Sequence, residues 1–570
     1  MAVPLDRFLR FDELTGELQR LVAAHPDLAT IESIGRSYEG RDVWLVTITD
    51  ATTGAHVTKP AHWVDANIHA VELTASVAAL NLVDVLLAGH GTDERITRAL
   101  RTRTFYVVPR VNPDGAEWAL ADSPKFVRSS TRPWPWRDGY RPSGLREHDV
   151  DGDGRILLMR VPDPDGAWRP HADEARLMVP RRADEGPDDG PFFRLLAEGT
   201  IADHDGFTVP TLGPAERLDL NRNYPAGWGT GVRGAGDFPT SEPEISAIVQ
   251  AMVARPNICG FNAYHTSGGV LLRPSSTKAD SALPPKDVWT WTQLGAHLTA
   301  ASGYRVHSVF EDFTWDKNTT MSGASDDWAY EHLGVYGWTT EFWDPISHAT
   351  DHRASTDIWY TGPSVDDELA VLRWSDTAAA GAMFVDWYAF DHPQLGPVEL
   401  GGWDALQSWT NPPGALLAAE VAPHADFAVF QALSAPCIEI KQLRAAPLGD
   451  ATWRVTAGVA NTGWLPTYVT EHARKHDLVL PLVVELTGSP TRATGDITVV
   501  DMPARRELGQ LAGRSGFRLD GGGHNDGTPD RVLTTWLVRA PAGTTLTVEA
   551  RHPRAGVSRA SIVLWDPPAT

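Results

Sequence analysis

Apolar positions near the start of the chain recur at helical spacing: Leu14, Leu18, Leu21 and Val22 fall on one face between Phe11 and Ala24, and Pro26 ends the run. This predicts a first amphipathic helix. Short apolar or alternating runs follow at 43–48, 62–66 and 104–109, with a long apolar-faced segment, 71–87, between the last two. Strands alternating with helices predict an α/β sheet. Residues 260–264 and 337–342 read as further buried strands. Each runs into a polar residue where it would reach the carboxyl edge, at which open α/β sheets bind ligands.

From about 133 to 213 the texture changes to Pro, Gly, Asp and Arg with little periodicity, as in RPWPWRDGYRPSGLREHDVDGDGRI, which predicts a long surface insertion. After about 391 a turn-rich stretch, DHPQLGPVELGGWD, opens a predicted linker that runs to about 435. Beyond it, β-rich runs at 453–459, 478–486, 496–500, 534–538, 544–550 and 560–565 predict an all-β sandwich. The expected organisation is therefore a body over 1–390, a linker over 391–435 and a sandwich over 436–570.

The bulk numbers narrow the class. A chain of 570 residues exceeds one ordinary core, and 42% hydrophobic with 22% charged residues is the composition of a folded globular protein. A formal net charge of −23 opposes binding to nucleic acid or anionic lipid. The two cysteines, Cys259 and Cys437, exclude a disulfide framework and read as buried small hydrophobes. The apolar run 77–87 is broken by Asn81 and Asp84, so no membrane span is expected. The opening residues lack the features of a secretory signal, and a cytoplasmic location is expected. Oligomeric state is not legible.

Chemistry concentrates at the strand ends. His69 and Glu72 stand in VDANIHAVEL, after the 62–66 strand and at the mouth of the next helix, where their offset can turn both side chains toward one ion. An H-x-x-E pair alone is a frequent surface pattern. A zinc site needs a third protein ligand and an open position. His265, in FNAYHTSGG at the end of another predicted strand, has the type and place to supply it.

With that set in view the sequence resembles the metallocarboxypeptidases, the M14 family of zinc exopeptidases typified by pancreatic carboxypeptidases A and B. NIHAVE resembles the family's histidine–glutamate zinc motif, VVPRVNPDG its NPDG turn and LDLNRNYPAGW its Asn-Arg motif. YHTSGG resembles its third-ligand segment, and GASDDWAYEHLGVYGWTTEFWD its catalytic-glutamate segment. All five occur in the family's order, and the similarity runs from about residue 10 to 390 with no activation segment expected ahead of it. The resemblance implies a mixed eight-stranded-type sheet flanked by helices, one Zn2+ per chain, and hydrolysis of a C-terminal peptide or acylated amino-acid bond.

It also implies roles. Glu341 matches the general base, and Arg128, in KFVRSS, matches the arginine that stabilises the developing oxyanion, although Arg132 is close enough to be confused with it. Asn221 and Arg222 match the pair that grips the substrate's terminal carboxylate; the competing reading is a turn tied by Asp219. Asp326 falls at the base of the specificity pocket, implying a Lys or Arg preference, unless it lies exposed at a helix start. Thr319 stands where the pancreatic enzymes carry a mobile tyrosine, and Ala70 and Val71 stand where an arginine often contributes outer contacts. Those departures put extended-substrate contacts in doubt and keep open a substrate such as a cell-wall peptide. Within the insertion, Asp149, Asp151 and Asp153 form either half of a calcium (Ca2+) loop or a solvated acidic turn; Arg160 stands where an EF-hand needs a glutamate. A binding protein on a peptidase scaffold is the rival from another class.

Overall fold

Strands buried at nearly every position fill the middle of the central sheet and partly exposed strands form its two edges in the computed structural model, which describes residues 3–135, 143–211, 215–314, 316–317, 320–489, 497–500, 503–516 and 527–565. In chain order its strands are β1 (Ala29–Arg36), β2 (Asp42–Ile48), β3 (Ala61–Ala66), β4 (Thr104–Val108), β5 (Ile258–Thr266), β6 (Val270–Arg273), β7 (Arg305–Ser308) and β8 (Tyr336–Phe342). They form one eight-stranded sheet in the order β1-β2-β4-β3-β5-β8-β6-β7. Neighbours β4, β3, β5 and β8 run parallel, whereas β1, β2 and the β8–β6 pair are antiparallel. The expected mixed sheet is present, and the parallel centre brings three carboxyl ends, those of β3, β5 and β8, to one place.

Helices cover both faces. On one, α1 (Phe11–Ala24) and α2 (Leu73–Gly89) pack with Val64 and Phe105 of the sheet. On the other, Ile245, Ile248 and Met252 of α3 (Pro243–Val253) meet Trp63 and Phe261, together with Trp328 of the short helix α5 (Ser325–Glu331). Helix α4 (Pro285–Ser302) lies between these in sequence and packs Trp291 and Leu294 against Trp338. Helix α2 is buried around nearly its whole circumference because α7 (Gly414–Ser434) covers the side that the sheet does not. No single described helix is long and apolar enough to cross a membrane.

Two expectations need correction. Residues 391–435 do not link separate bodies: Phe384–His392 and Gly396–Trp403 pair as a hairpin, and α7 places Leu417, Val421 and Val429 in the same core as Leu80 and Leu86. The expected insertion is also more regular than its composition suggests. Its strand Leu158–Pro162 pairs with Gly396–Trp403, aligning Arg160 with Glu399, inside a six-stranded sheet that also takes in Phe193–Ala197, Trp168–Pro170 and Met178–Pro180. Helix α6 (Val365–Ala378) anchors that sheet through Leu372 against Leu177 and Val179. Strands of three to five residues bounded by Pro and Gly leave too few positions for alternation to show.

The C-terminal region forms two four-stranded antiparallel sheets around Trp453, Val455, Trp536, Leu546 and Val548, the expected sandwich. Cys259 is buried and its thiol is pushed up to about 11 by burial, whereas Cys437 is only half-buried, contrary to expectation. Asp287, in the first turn of α4, ties the sandwich side to the eight-stranded body. Its fully buried carboxylate accepts the Tyr330 and Tyr336 hydroxyls at 2.9 and 3.0 Å and the Glu471 and His472 backbone N–H groups at 2.8 and 3.0 Å. Replacing Asp287 with alanine leaves these donors unpaired and is expected to destabilise the chain by about 3 kcal/mol or more. A lowered urea midpoint checks this, and a change below about 0.5 kcal/mol would remove the network from the list of stabilising contacts.

Candidate metal centre and active-site cleft

The turn between β3 and α2 carries His69 and Glu72, with Glu72 at the N-cap of α2. His265 lies near the end of β5 and Glu341 near the end of β8, and the two are register partners on adjacent parallel strands. Side chains paired in this way share a face of the sheet. All four reach one cavity of about 390 Å3, which His69, Glu72, Arg128, Asn221, Arg222, His265, Asp326 and Glu341 line together. Every site residue expected from the sequence is therefore brought to the same place.

Three of them form a cradle. His69 Nδ1 is 2.7 Å from Glu72 Oε1, His265 Nδ1 is 3.0 Å from Glu72 Oε2, and the two Nδ1 atoms are 3.1 Å apart. Tetrahedral zinc holds nitrogen and oxygen ligands at about 2.0–2.2 Å, which sets neighbouring donors about 3.3 Å apart, so this His–Glu–His set fits the ion. Orientation supports the fit. His69 Nε2 meets Asp219 Oδ1 at 3.1 Å, and a proton held there leaves the Nδ1 lone pair free for a metal. Burial alone would raise the Glu72 carboxyl, but the His69 and His265 imidazoles overcome it and hold the group well below the usual carboxylate range.

Asp219 joins this cradle to Arg128. Its Oδ2 accepts from Arg128 Nε at 3.2 Å, while Arg128 Nη1 lies 3.4 Å from Glu72 Oε1. Arg132, the possible rival of Arg128, is instead engaged by Glu242 at 2.7 Å and Asp237 at 3.4 Å away from the cavity lining. Asn221 Oδ1 accepts the Ser325 backbone N–H at 2.9 Å, fixing the start of α5 and leaving its amide NH2 as the available donor end. Asp219 does tie this turn, accepting the Asn221 N–H at 2.9 Å, as the competing structural reading of the motif requires.

Two carboxyls lining the cavity each keep an unpartnered buried oxygen. Glu341 Oε2 is closed off from solvent and has no hydrogen-bond partner; burial raises the group to about 8, with His265 opposing and Glu72 reinforcing the shift. Asp326 is 1% exposed, its Oδ2 is likewise unpartnered, and burial raises it. The exposed-helix-start reading of Asp326 is thus corrected. Its neighbour Asp327 turns away, both oxygens accepting the Ser276 N–H at 3.1 Å.

The cleft continues outward into a second cavity of about 1150 Å3 that shares Val71, Arg128, Arg222, Met321 and Tyr360 with the first. Val71 does face the cleft where an arginine was the family expectation. Thr319 lies outside the described residues. The described insertion residues contribute nothing to either lining, although Glu216 and Arg217, just after it, do. Tyr360 and Thr410 were not foreseen; their segments carry no motif. The trio Asp149, Asp151 and Asp153 does not assemble: Asp153 pairs with Arg155 at 2.7 Å, and Asp149 accepts the Gly152 and Gly154 N–H groups at 2.6 and 2.8 Å. Asp151 and Asp149 approach Glu198 instead, as a hydrogen-bonded acidic turn, and the calcium expectation is withdrawn.

A sequence model of the zinc carboxypeptidase family matches residues 14–350, more than half of the chain, and the protein belongs to that family. A model described as a domain of unknown function matches 437–563. Carboxypeptidase B of Astacus astacus is 28% identical over 342 residues, 59% of this chain and 86% of that protein. A zinc carboxypeptidase of Saccharothrix mutabilis subsp. capreolus is 32% identical over 111 residues, 20% of this chain and 25% of that protein. The match to carboxypeptidase A2 of Rattus norvegicus, 36% identical over 126 residues, covers 22% of this chain and 27% of that protein. The chain thus spans about a quarter of two of these three relatives. Among solved structures, thrombin activatable fibrinolysis inhibitor aligns with a TM-score of 0.42 and 16% identity, over 75% of this chain and 74% of that one.

Proposed function

We propose that the protein is a zinc-dependent carboxypeptidase that cleaves the C-terminal amide bond of a peptide. The observation that carries this reading is the convergence of a His–Glu–His cradle, a half-buried glutamate whose Oε2 is closed off and unpartnered, and two arginines on one cavity. A zinc ion held by His69, Glu72 and His265 would supply a Lewis acid that acidifies water and polarises a carbonyl. Asn221 and Arg222 grip the terminal carboxylate, a task suited to a guanidinium fork, and so fix the scissile bond in the cleft. Arg128 donates to the carbonyl oxygen as it gains charge. Glu341 takes the proton from the attacking water and passes it to the leaving amine.

Asp326 sets the side-chain preference. Its Oδ1 accepts the Asp327 N–H at 2.9 Å, but its buried Oδ2 has no partner and calls for a cation, so Lys or Arg is the expected terminal residue. The test is release of free amino acids from N-blocked dipeptides, with chelator and zinc add-back. Basic termini should lead, and Asp326→Asn should lower their kcat/KM about 10²-fold or more while changing Leu or Phe termini little. Equal losses on all termini would sink the assignment. The volume of the outer cavity favours a second reading in which the same chemistry acts on a bulkier acylated amino acid or cell-wall peptide; such substrates belong in the panel.

A further inference from the structure

Asn411 lies in the segment between the Gly396–Trp403 strand and α7, 337 positions along the chain from Thr74, yet it is fully buried against the first turn of α2. Helix α2 begins with Glu72 at its N-cap, and the Glu72 side chain does not cap the helix. It faces the histidine cradle instead. The N–H groups of the first turn therefore lack their usual local acceptor. Asn411 supplies it from a distance: its Oδ1 accepts the Thr74 N–H at 3.0 Å and the Thr74 hydroxyl at 2.8 Å. Its Nδ2 donates to the Val71 carbonyl at 2.7 Å and to the Leu406 carbonyl at 3.0 Å. The amide thus clamps the residues on both sides of Glu72, and it uses donors and acceptor alike.

We infer that Asn411 is a positioning residue for the metal centre, acting through Glu72. A capping side chain of the ordinary kind would have to stand at position 72 itself, where the carboxylate is committed to the cradle. Moving the cap to Asn411 frees Glu72 to face His69 and His265 while α2 still starts at that residue. Asn411 is held in turn by its own surroundings. Asp404 accepts the Leu406 and Gln407 N–H groups at 2.8 Å each, and Pro412 and Pro413 fix the exit of the chain into α7. The clamping side chain thus comes from far along the chain, while the groups it holds, the Val71 carbonyl and the Thr74 N–H and hydroxyl, flank Glu72 in the zinc motif.

The inference rests on the zinc reading of the cradle, and the experiment separates the two. Zinc dissociation constants are measured by chelator competition on the full chain, with the d–d spectrum of the cobalt-substituted protein as a second readout. Asn411→Ala is expected to weaken zinc binding about 10- to 100-fold and to change the cobalt spectrum. Thr74→Ala, which removes one donor from the Asn411 oxygen without touching Val71, is expected to weaken it several-fold and serves if the first variant does not fold. Asp93→Ala is the control. Asp93 caps the neighbouring helix Glu94–Thr102 through the Arg95 and Ile96 N–H groups, so its loss should lower the melting temperature without altering zinc affinity. Wild-type affinity in folded Asn411→Ala, in Thr74→Ala where only that variant folds, or an equal loss in Asp93→Ala would overturn the inference alone. A wild-type protein that binds no zinc would overturn the cradle reading and the inference with it.

Discussion

Glu341→Gln is expected to lower kcat for C-terminal amino-acid release by about 10²–10⁴-fold, with zinc still bound one per chain and KM changed only a few-fold. Glutamine keeps the size of the side chain and its carbonyl oxygen but accepts no proton at working pH. It also leaves the cradle intact, because Glu341 is no part of the His69, Glu72 and His265 cluster. A loss confined to kcat therefore identifies a group that acts in the transition state. A rise in KM with kcat preserved would instead place Glu341 in substrate binding. Turnover within tenfold of wild type would remove the general-base role, and a variant free of zinc would show that Glu341 helps to hold the metal.

The site was legible because its residues sit where strong local patterns end. Runs such as WVDA, ending three positions before His69, and FNAY, ending directly before His265, are apolar enough to declare buried strands, and the candidate ligands stand just past them. Asp219 was visible beside Asn221, but its contact with His69 was not, because the two are 150 positions apart. Edge strands were harder. β1 has a burial pattern with a single fully buried position, Ala29, and β7 has only four residues, so neither shows a clean period. The segment 391–435, which holds the second hairpin strand and α7, reads as a linker because Gly396, Gly401, Gly402, Pro412 and Pro413 punctuate it like a boundary. Their meaning lies in partners hundreds of residues away: Arg160 for Glu399, Thr74 for Asn411 and the core face of α2 for α7. Local sequence holds none of that information.

A chain ending at residue 390 is expected to be unfolded or molten and to retain no stoichiometric zinc, although every motif residue is still present. Helix α7 buries Leu417, Val421, Phe427 and Val429. At about 1.5–3 kcal/mol for each such side chain, their loss amounts to about 6–12 kcal/mol, which is comparable to the whole stability of about 5–15 kcal/mol of a typical domain. The active site loses its supports in the same cut. Trp343, two residues past Glu341, has φ of 71°, an unfavourable setting for a bulky residue. It is held by its N–H to Glu420 at 3.0 Å and its indole N–H to the Ser408 carbonyl at 2.6 Å. Ser408 and Glu420 both lie beyond 390, as does Asn411 on the Glu72 side. Circular dichroism, the cooperativity of melting and metal content of the purified fragment check the expectation. A fragment that melts cooperatively and binds zinc like the full chain would mean that residues 1–390 close their own core and hold Glu72 and Glu341 without help. The opposite result makes the 391–434 segment as much a part of the metal centre as the histidine motif itself, because the residues that bind and the residues that keep them in place come from opposite ends of the catalytic body.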